Sequence, residues 1–146
     1  MSDPPGYRQG LISQATALTR AGDANAAGDL VSLHGSYVKT YRQADALPGP
    51  TEFFDKFLGA LQQGAASGAE GTDTPCVVYT GGQVYYALDA PAAAYAPVGT
   101  FVTVVDDITV ALDLTANVSR CVGKVCVPVK PGDTWVMFEL RSKIMS

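Results

Sequence analysis

Apolar and polar residues alternate with a period of two through most of the second half of the chain. Alternation of this kind is typical of strands that bury one face. Short strands that follow one another closely, with turn residues between them, are typical of antiparallel sandwiches and barrels. The pattern therefore predicts a mainly β fold, an antiparallel β-sandwich or barrel. The six strand-like runs are residues 76–80, 83–88, 100–105, 108–114, 120–129 and 134–141.

Short turn sequences between these runs predict which strands pair. Gly81-Gly82 lies between the first two runs and is a strong signal for a two-residue hairpin. Asp106-Asp107 separates the next two runs in a similar arrangement. Residues 130–133 supply proline and glycine where a turn before the last run needs them. We therefore expect antiparallel pairing on either side of each turn.

The first half of the chain is less regular. Residues 29–33 and 36–41 predict two strands, whereas the period of residues 14–20 fits a strand or a helical turn. The start of the chain is rich in proline, glycine and polar side chains, so residues 1–20 are predicted to form a flexible N-terminal arm. Residues 21–146 then form a single β-rich domain, within the usual range of domain sizes.

One segment has the period of a helix. Thr51 can cap its N-terminus, and the apolar residues that follow lie on one face of a 3.6-residue period. A helix is therefore predicted at about residues 51–63, followed by a flexible Gly-rich loop at residues 64–74. Its apolar face could pack in the protein's own core, which is the commoner use, or form a ridge that binds a partner. The residues of this face are Phe53, Phe54, Phe57, Leu58 and Leu61.

The chain carries little charge. Only 16% of its 146 residues are charged, against roughly 25% in ordinary globular domains, and a low-charge surface is tolerable where a partner covers part of it. The net charge of −4 argues against a nucleic-acid partner, which needs clustered Lys and Arg. No run approaches the roughly 18 apolar residues of a membrane span, and no cationic start precedes an apolar run. Neither a membrane partner nor a signal peptide is therefore expected.

The charges are also unevenly distributed. No basic residue lies between Lys56 and Arg120, an interval that contains six acidic residues, and the C-terminal segment then has an excess of basic side chains. Acidic turns that happen to cluster would explain this distribution. A charge-complementary contact between copies of the chain would explain it as well.

Four patterns that could carry chemistry are each incomplete. His34 is the only histidine, and neither neighbouring serine stands in the G-x-S-x-G pattern of a nucleophile elbow. Residues 23–28 begin like a calcium loop, but Ala27 stands at position five and His34 at position twelve, where oxygen ligands are needed. Gly123-Lys124 lacks the rest of a phosphate-binding loop, and Asp106-Asp107 is best explained as a turn. No catalytic, cofactor-binding or metal-binding residue is predicted, and we expect the chain not to be an enzyme.

Cys121 and Cys126 allow two interpretations. On one continuous strand their odd separation places them on opposite faces, where they cannot cooperate. If Gly123-Lys124 is instead a type II′ turn, Cys121 lies opposite Cys126 and close enough for a disulfide. The sequence leaves both interpretations open.

The run from Pro97 to Ser142, PVGTFVTVVDD…GKVCVPVKPGDTWVMFELRS, resembles the closing half of the small β-rich head-decoration (cement) proteins of tailed bacteriophages. Those proteins are similar also in combining a Pro/Gly-containing N-terminal arm with Ala/Gly-rich loops and short strands. The corresponding arm here is MSDPPGYRQG. The helix predicted at residues 51–63 has no counterpart in the resemblance.

The resemblance implies a structural virion protein that decorates the capsid. Such a subunit is made in the host cytoplasm, sits on the outer capsid surface, often as a homotrimer, and clamps the major capsid protein without a cofactor. The arm would order on binding, and many copies would add avidity. The predicted partner contacts are Pro4, Pro5, Tyr7, Arg8, Phe53, Phe57, Tyr85 and Trp135.

A carbohydrate- or protein-binding β-sandwich module is the alternative. Such a module needs exposed aromatic side chains on which a ligand can stack. Tyr85 and Tyr86 are neighbours on a predicted strand and point to opposite faces, so one of them is expected to face solvent or a partner. Tyr79, Tyr95 and Trp135 are the other candidates.

Overall fold

A computed structural model describes residues 7–9, 14–19, 27–35, 37–41, 50–62, 74–115 and 118–143. This part of the chain contains eleven strands, one α-helix (α1, Pro50–Asp55) and one 3-10 turn (Val118–Arg120). The fold is therefore mainly β, as the alternation of apolar and polar residues predicts. The strands are β1 (Tyr7–Gln9), β2 (Gln14–Thr19), β3 (Leu30–His34), β4 (Tyr37–Thr40), β5 (Phe57–Leu61), β6 (Thr74–Tyr79), β7 (Gln83–Leu88), β8 (Phe101–Asp106), β9 (Thr109–Asp113), β10 (Gly123–Val125) and β11 (Trp135–Leu140).

The first five strands after β1 form a closed barrel, here called the first barrel. Its strand order is β2-β4-β3-β5-β6, and β6 returns to pair with β2. The contact between β2 and β4 is parallel, whereas the other four are antiparallel. The interior is filled by a small cluster of branched aliphatic side chains and one thiol. These residues are Val31, Val38, Leu58, Leu61, Cys76 and Val78.

The last five strands form a second closed circuit, here called the second barrel. Its strand order is β7-β11-β10-β8-β9, and β9 returns to β7 through a short parallel pairing. β1 is added to the edge of β7 beside this pairing, where Tyr7–Gln9 lies antiparallel to residues 83–85. The interior is again apolar. Its residues include Val102, Val110, Val122, Val125, Val136 and Phe138.

The two barrels have the same topology and the same register. When the strands of each barrel are numbered from 1 to 5 along the chain and the circuit of the second barrel is followed from β7 through β9, the order around both barrels is 1-3-2-4-5. In both barrels, strands 1 and 3 form the parallel pair. Apart from one register shift in each barrel, Cα partners in the first barrel correspond to partners in the second, so the described strands form a tandem structural duplication. Matched pairs are Leu18–Tyr37 with Ala87–Thr109, Val31–Gly59 with Val102–Gly123, and Ala60–Tyr79 with Lys124–Glu139.

Glycine occupies one critical position of the fourth strand in both barrels. A Cβ atom on Gly59 would lie 1.9 Å from the backbone oxygen of Tyr79. At the matched position, a Cβ atom on Gly123 would lie 2.3 Å from the backbone oxygen of Glu139. Because neighbouring strands approach so closely at this crossing, only a residue without a side chain fits.

The two barrels share a core in which α1 is embedded. Phe53, Phe54 and Phe57 are buried in one cluster with the interior of the second barrel. The hydroxyl of Tyr86 in the second barrel donates a 2.5 Å hydrogen bond to the backbone oxygen of Gly28 in the first. These contacts join the described residues of the two barrels through one core.

The helix predicted at residues 51–63 is wrong in its second half. The helix ends at Asp55, and Phe57–Leu61 forms β5 between β3 and β6. All five β5 residues are buried because one face fills the first barrel and the other packs against the shared core. A strand buried on both faces has no alternation, so its apolar run combined with the helix before it to imitate a helical period.

Two further expectations are corrected. Within the predicted arm of residues 1–20, residues 7–9 and 14–19 are strands paired to β7 and β6, and the remaining arm residues lie outside the described residues. Gly81-Gly82 does not close a hairpin, because β6 belongs to the first barrel and β7 to the second. The pairing expected across Asp106-Asp107 is confirmed, with a register shift between Val104 and Asp106. The predicted loop at residues 64–73 lies outside the described residues, and Thr74 begins β6.

Candidate functional site

An aromatic groove, defined by Tyr85, Val127, Pro128, Trp135 and Met137, lies on the outer face of the second barrel. The sheet positions its two rings, because Tyr85 lies opposite Met137 and Trp135 is the diagonal neighbour two residues away. The ring centroids are 5.1 Å apart and the ring planes differ by 22°, so the rings are stacked. The groove encloses about 340 Å³.

The two rings are accessible but cannot form a flat platform. Both Tyr85 and Trp135 are half-buried, whereas Tyr86 is fully buried, which confirms that the adjacent tyrosines face opposite ways. Because the two rings stack on each other, each uses one face and leaves at most one for a ligand. Exposed Val127 extends the apolar rim. The groove therefore suits an apolar or aromatic side chain of a partner better than a sugar stacked across two coplanar rings.

A charged row continues from the groove along the same face. The Lys124 ammonium lies 5.4 Å from the centre of the Phe101 ring, and the register places Lys124 opposite Glu139 on β11. A second groove of about 330 Å³ runs beside this row and also contacts Arg141 and Val98. Both signs of charge therefore border the aromatic groove, as at the polar rim of a protein interface.

The other predicted contact residues do not line this groove among the described residues. Phe53 and Phe57 are fully buried in the shared core, so the interpretation of α1 as a partner-binding ridge is wrong. Tyr7 and Arg8 lie in β1, on the edge of β7 beside Tyr85. Pro4 and Pro5 lie outside the described residues.

Ser32 and His34 lie within hydrogen-bonding distance but are poorly arranged for catalysis. Ser32 Oγ is 2.7 Å from His34 Nε2, because residues two apart on β3 share a face. Ser32 is fully buried, and its hydroxyl also donates to the backbone oxygen of Lys39 at 3.3 Å. A nucleophile must reach the carbon it attacks, and this hydroxyl is closed off from solvent.

Asp106 and Asp113 of the second barrel accept hydrogen bonds from backbone groups of turns. Asp106 Oδ1 accepts a hydrogen bond from the backbone N–H of Asp107 at 2.8 Å, and Asp113 Oδ1 accepts one from the backbone N–H of Thr115 at 2.9 Å. Among the described residues, no group of three His, Cys, Asp or Glu side chains could hold a metal ion. Of the calcium-like segment at residues 23–28, only Ala27 and Gly28 are described.

Neither interpretation of the cysteines describes the structure in full, because Cys121 and Cys126 both lie just outside a short strand. Gly123–Val125 is strand β10, paired on both sides, so the II′ turn and the disulfide that it would allow are wrong. Cys121 is buried and Cys126 half-buried, and both are free thiols. Burial raises the pKa of the Cys126 thiol, and the negative charge of Glu139 raises it further. Burial likewise raises the pKa of the Cys76 thiol.

Alkylation should distinguish the three thiols. In native protein at pH 7 we expect iodoacetamide to modify Cys126 first and slowly, because a raised pKa leaves little of the reactive thiolate. Cys76 and Cys121 should stay protected until the protein is denatured, after which intact mass should show three modifications without any reductant. Glu139→Gln should accelerate the reaction at Cys126, with Cys76 as the internal control. A mass showing a single modification in unreduced, denatured protein would contradict the free-thiol state.

Sequence patterns identified two of the groove residues, Tyr85 and Trp135, from their aromatic character and missed the rest. Val127 and Pro128 lie in the connection between β10 and β11, and Met137 is a partly buried strand residue. Only the cross-strand register unites them, and the alternation around Met137 was the one signal that could have placed it beside Tyr85.

Within the described residues, no helix has the length and apolar character to cross a membrane. No protein-family model matches the chain, and no curated protein matches it either.

Proposed function

We propose that this chain is a structural virion protein, a capsid decoration or cement subunit that binds the outer surface of the major capsid protein and stabilises the shell. The observation that carries the proposal is the half-exposed aromatic groove at Tyr85 and Trp135, set on a double-barrel body of low charge. The resemblance to head-decoration proteins supports it, because the resembling run of residues 97–142 contains β8 to β11.

The double barrel suits such a role physically. A body with one continuous core can hold its outer face in a fixed geometry, so docking costs little ordering of the main chain. Tyr85 and Trp135 supply the kind of aromatic anchor that dominates binding energy at protein interfaces. Each contact can be weak, because a homotrimer on a shell of repeated subunits gains avidity from simultaneous engagement.

Co-sedimentation with empty capsids of the parent virus tests the proposal. Trp135→Ala should reduce capsid binding about tenfold or more, the usual effect of removing an aromatic anchor. Tyr95→Ala is the matched control, because Tyr95 is 56% exposed and lies outside the groove. Full capsid binding by Trp135→Ala would remove the groove from the proposal, and the absence of capsid binding by wild-type protein would overturn the decoration role.

Trp135 also provides a direct signal, since it is the only tryptophan of the chain. If the groove is the contact, Trp135 emission should shift to shorter wavelength when capsids are added, because binding removes water from the ring. Deleting residues 1–6, which leaves β1 in place, separates the contribution of the extreme N-terminus. Unchanged capsid binding by that variant would confine the contact to the double barrel.

A carbohydrate-binding module is the second candidate, favoured by the face of the Trp135 ring that the stack leaves free. A glycan array with wild-type protein and Trp135→Ala tests it. A hit that depends on Trp135, together with no capsid binding, would support this candidate over decoration.

A further inference from the structure

The tandem duplication reveals a strand edge in the first barrel that no described strand fills. In the second barrel, the edge of β7 is shared by two strands: β9 pairs with residues 87–88 and β1 with residues 83–85. In the first barrel, β4 pairs with β2 at Leu18, the position matched to Ala87. No described strand pairs with Gln14–Thr16 on that side, which is the place matched to the β1 site on β7.

The hydrogen-bonding pattern shows which groups the edge of β2 presents. The backbone N–H of Gln62 donates to the oxygen of Val77 at 2.9 Å, so Val77 directs its backbone groups toward β5. Because the direction alternates along a strand, Val78 directs its groups toward β2, where its Cα partner is Ala15. Gln14 and Thr16 therefore direct their backbone N–H and C=O groups outward, away from β6.

The backbone groups along the edge of β7 point outward at the matched positions, and β1 pairs with them. The backbone N–H of Leu88 donates to the oxygen of Thr134 at 2.9 Å, so even-numbered residues of β7 face β11. Gln83 and Tyr85 consequently face outward, and these residues have Gln9 and Tyr7 of β1 as their Cα partners. The outward groups of Gln14 and Thr16 are thus the counterparts of groups that bind a strand elsewhere in the same chain.

The core of the first barrel is also incompletely covered beside this edge. A groove of about 540 Å³ lies there, and its lining includes Ala15, Leu33 and Leu58. Ala15 and Leu33 remain partly exposed, whereas their second-barrel counterparts, Val84 and Val104, are buried. A strand laid against β2 would cover apolar surface as well as satisfy backbone groups.

The side chains of residues 14–16 offer no protection against pairing. Natural edge strands carry lysine, proline or inward-pointing charge to prevent the addition of another strand. The sequence of this edge is Gln-Ala-Thr, which is uncharged and free of proline. Its chemistry therefore permits the addition of a strand.

We propose that Gln14–Thr16 is a β-strand addition site that takes an extended segment of another protein, antiparallel to β2, in the way that β1 lies on β7. The bound segment needs free backbone N–H groups opposite Gln14 and Thr16 and an apolar side chain opposite Ala15, over the groove. The occupant comes from another protein because the strand that fits this kind of edge, Tyr7–Gln9, already lies on β7 of its own chain. The site does not depend on a role at the capsid.

Amide hydrogen exchange of the full chain, followed by NMR, tests the site. The amides of Gln14 and Thr16 should exchange fast, whereas those of Ala15 and Ala17, which face β6, should exchange slowly. The probe is a synthetic peptide of residues 5–11 carrying Arg8→Leu, which keeps the β1 backbone pattern and supplies the apolar side chain. At about millimolar concentration it should slow exchange at Gln14 and Thr16 about tenfold.

Two variants separate strand addition from other binding. Thr16→Pro removes an outward N–H but no bond to β6, so it should abolish peptide binding while Ala15 and Ala17 remain slow. Thr16→Ala keeps the backbone donor and should bind the peptide as wild type does. A variant without residues 1–9 is the probe control, because its freed β7 edge should bind the unmodified peptide and protect Tyr85.

Three outcomes would overturn the proposal. Slow exchange at Gln14 and Thr16 without peptide would mean that the chain itself covers the edge. A dimer by native mass spectrometry that Thr16→Pro dissociates would assign the edge to a second copy. Protection of Tyr85 in the shortened variant without protection of Thr16 in the full chain would show that β2 does not accept a strand. A negative capsid experiment affects none of these readouts.

Discussion

Gly59→Ala and Gly123→Ala should each destabilise the protein by about 3 kcal/mol or more. The added Cβ atom of either variant meets a backbone oxygen at less than 2.5 Å, at Tyr79 in one case and at Glu139 in the other. A side chain could rotate away from such a contact, but a backbone oxygen held in a strand ladder cannot. The crossing strands must therefore separate, which breaks ladder hydrogen bonds and opens the barrel interior at once.

Gly132→Ala is the matched control. Gly132 has a backbone conformation that favours glycine, with φ of 92°, but no atom lies within 4 Å of its added Cβ. Gly132→Ala should therefore lower the free energy of unfolding only by the backbone strain, about 1–2 kcal/mol. Urea unfolding followed by circular dichroism measures all three variants. Equal losses for Gly59→Ala and Gly132→Ala would contradict the close approach of β5 and β6.

Tyr86→Phe should cost about 1–3 kcal/mol. Tyr86 is fully buried, and its hydroxyl bonds to the backbone oxygen of Gly28, which is itself buried between the barrels. Phenylalanine keeps the ring and its packing but leaves that carbonyl without its donor in a place where water cannot replace it. Because the carbonyl stays buried without a donor, the loss of unfolding free energy should be larger than for removal of an exposed hydrogen bond.

Tyr85→Phe is the control for this variant, because it removes the same atom from a half-buried ring on the outer face. It should change the free energy of unfolding by no more than about 0.5 kcal/mol. Amide exchange provides a second measurement: Tyr86→Phe should raise exchange at Leu30, whose N–H donates to the Asp107 oxygen across the same interface at 2.8 Å. Unchanged stability and exchange together would show that the hydroxyl does not join the barrels.

Local patterns predicted individual strands better than their partners. The strand at residues 83–88 follows from alternation alone, and the pair across Asp106-Asp107 follows because its partners are close in sequence. Gly81-Gly82 carried an equally strong hairpin signal, yet β6 and β7 pair with strands far away along the chain. A turn signal reports that the chain changes direction and does not report which sheet the next strand joins.

The duplication shows the same limit. Matched positions such as Ala17 and Tyr86, or Leu30 and Phe101, differ in size because they face different neighbours, so no sequence repeat marks them. Glycine persists at 59 and 123 because the crossing excludes every other side chain. The strand order and the glycine at the crossing are the same in both barrels because the backbone geometry requires them. The other side chains differ because each one packs against the neighbours of its own barrel.

By itself, the sequence determined that the protein is mainly β and that Tyr85 and Tyr86 face opposite sides of a strand, since both depend on a period of two along one segment. Only the tertiary structure decided that the strands close into two matching barrels, that Tyr85 stacks on Trp135, and that no described strand pairs with residues 14–16 of β2 on the side away from β6. Each of these depends on register between distant segments, which backbone hydrogen bonds and core packing select together.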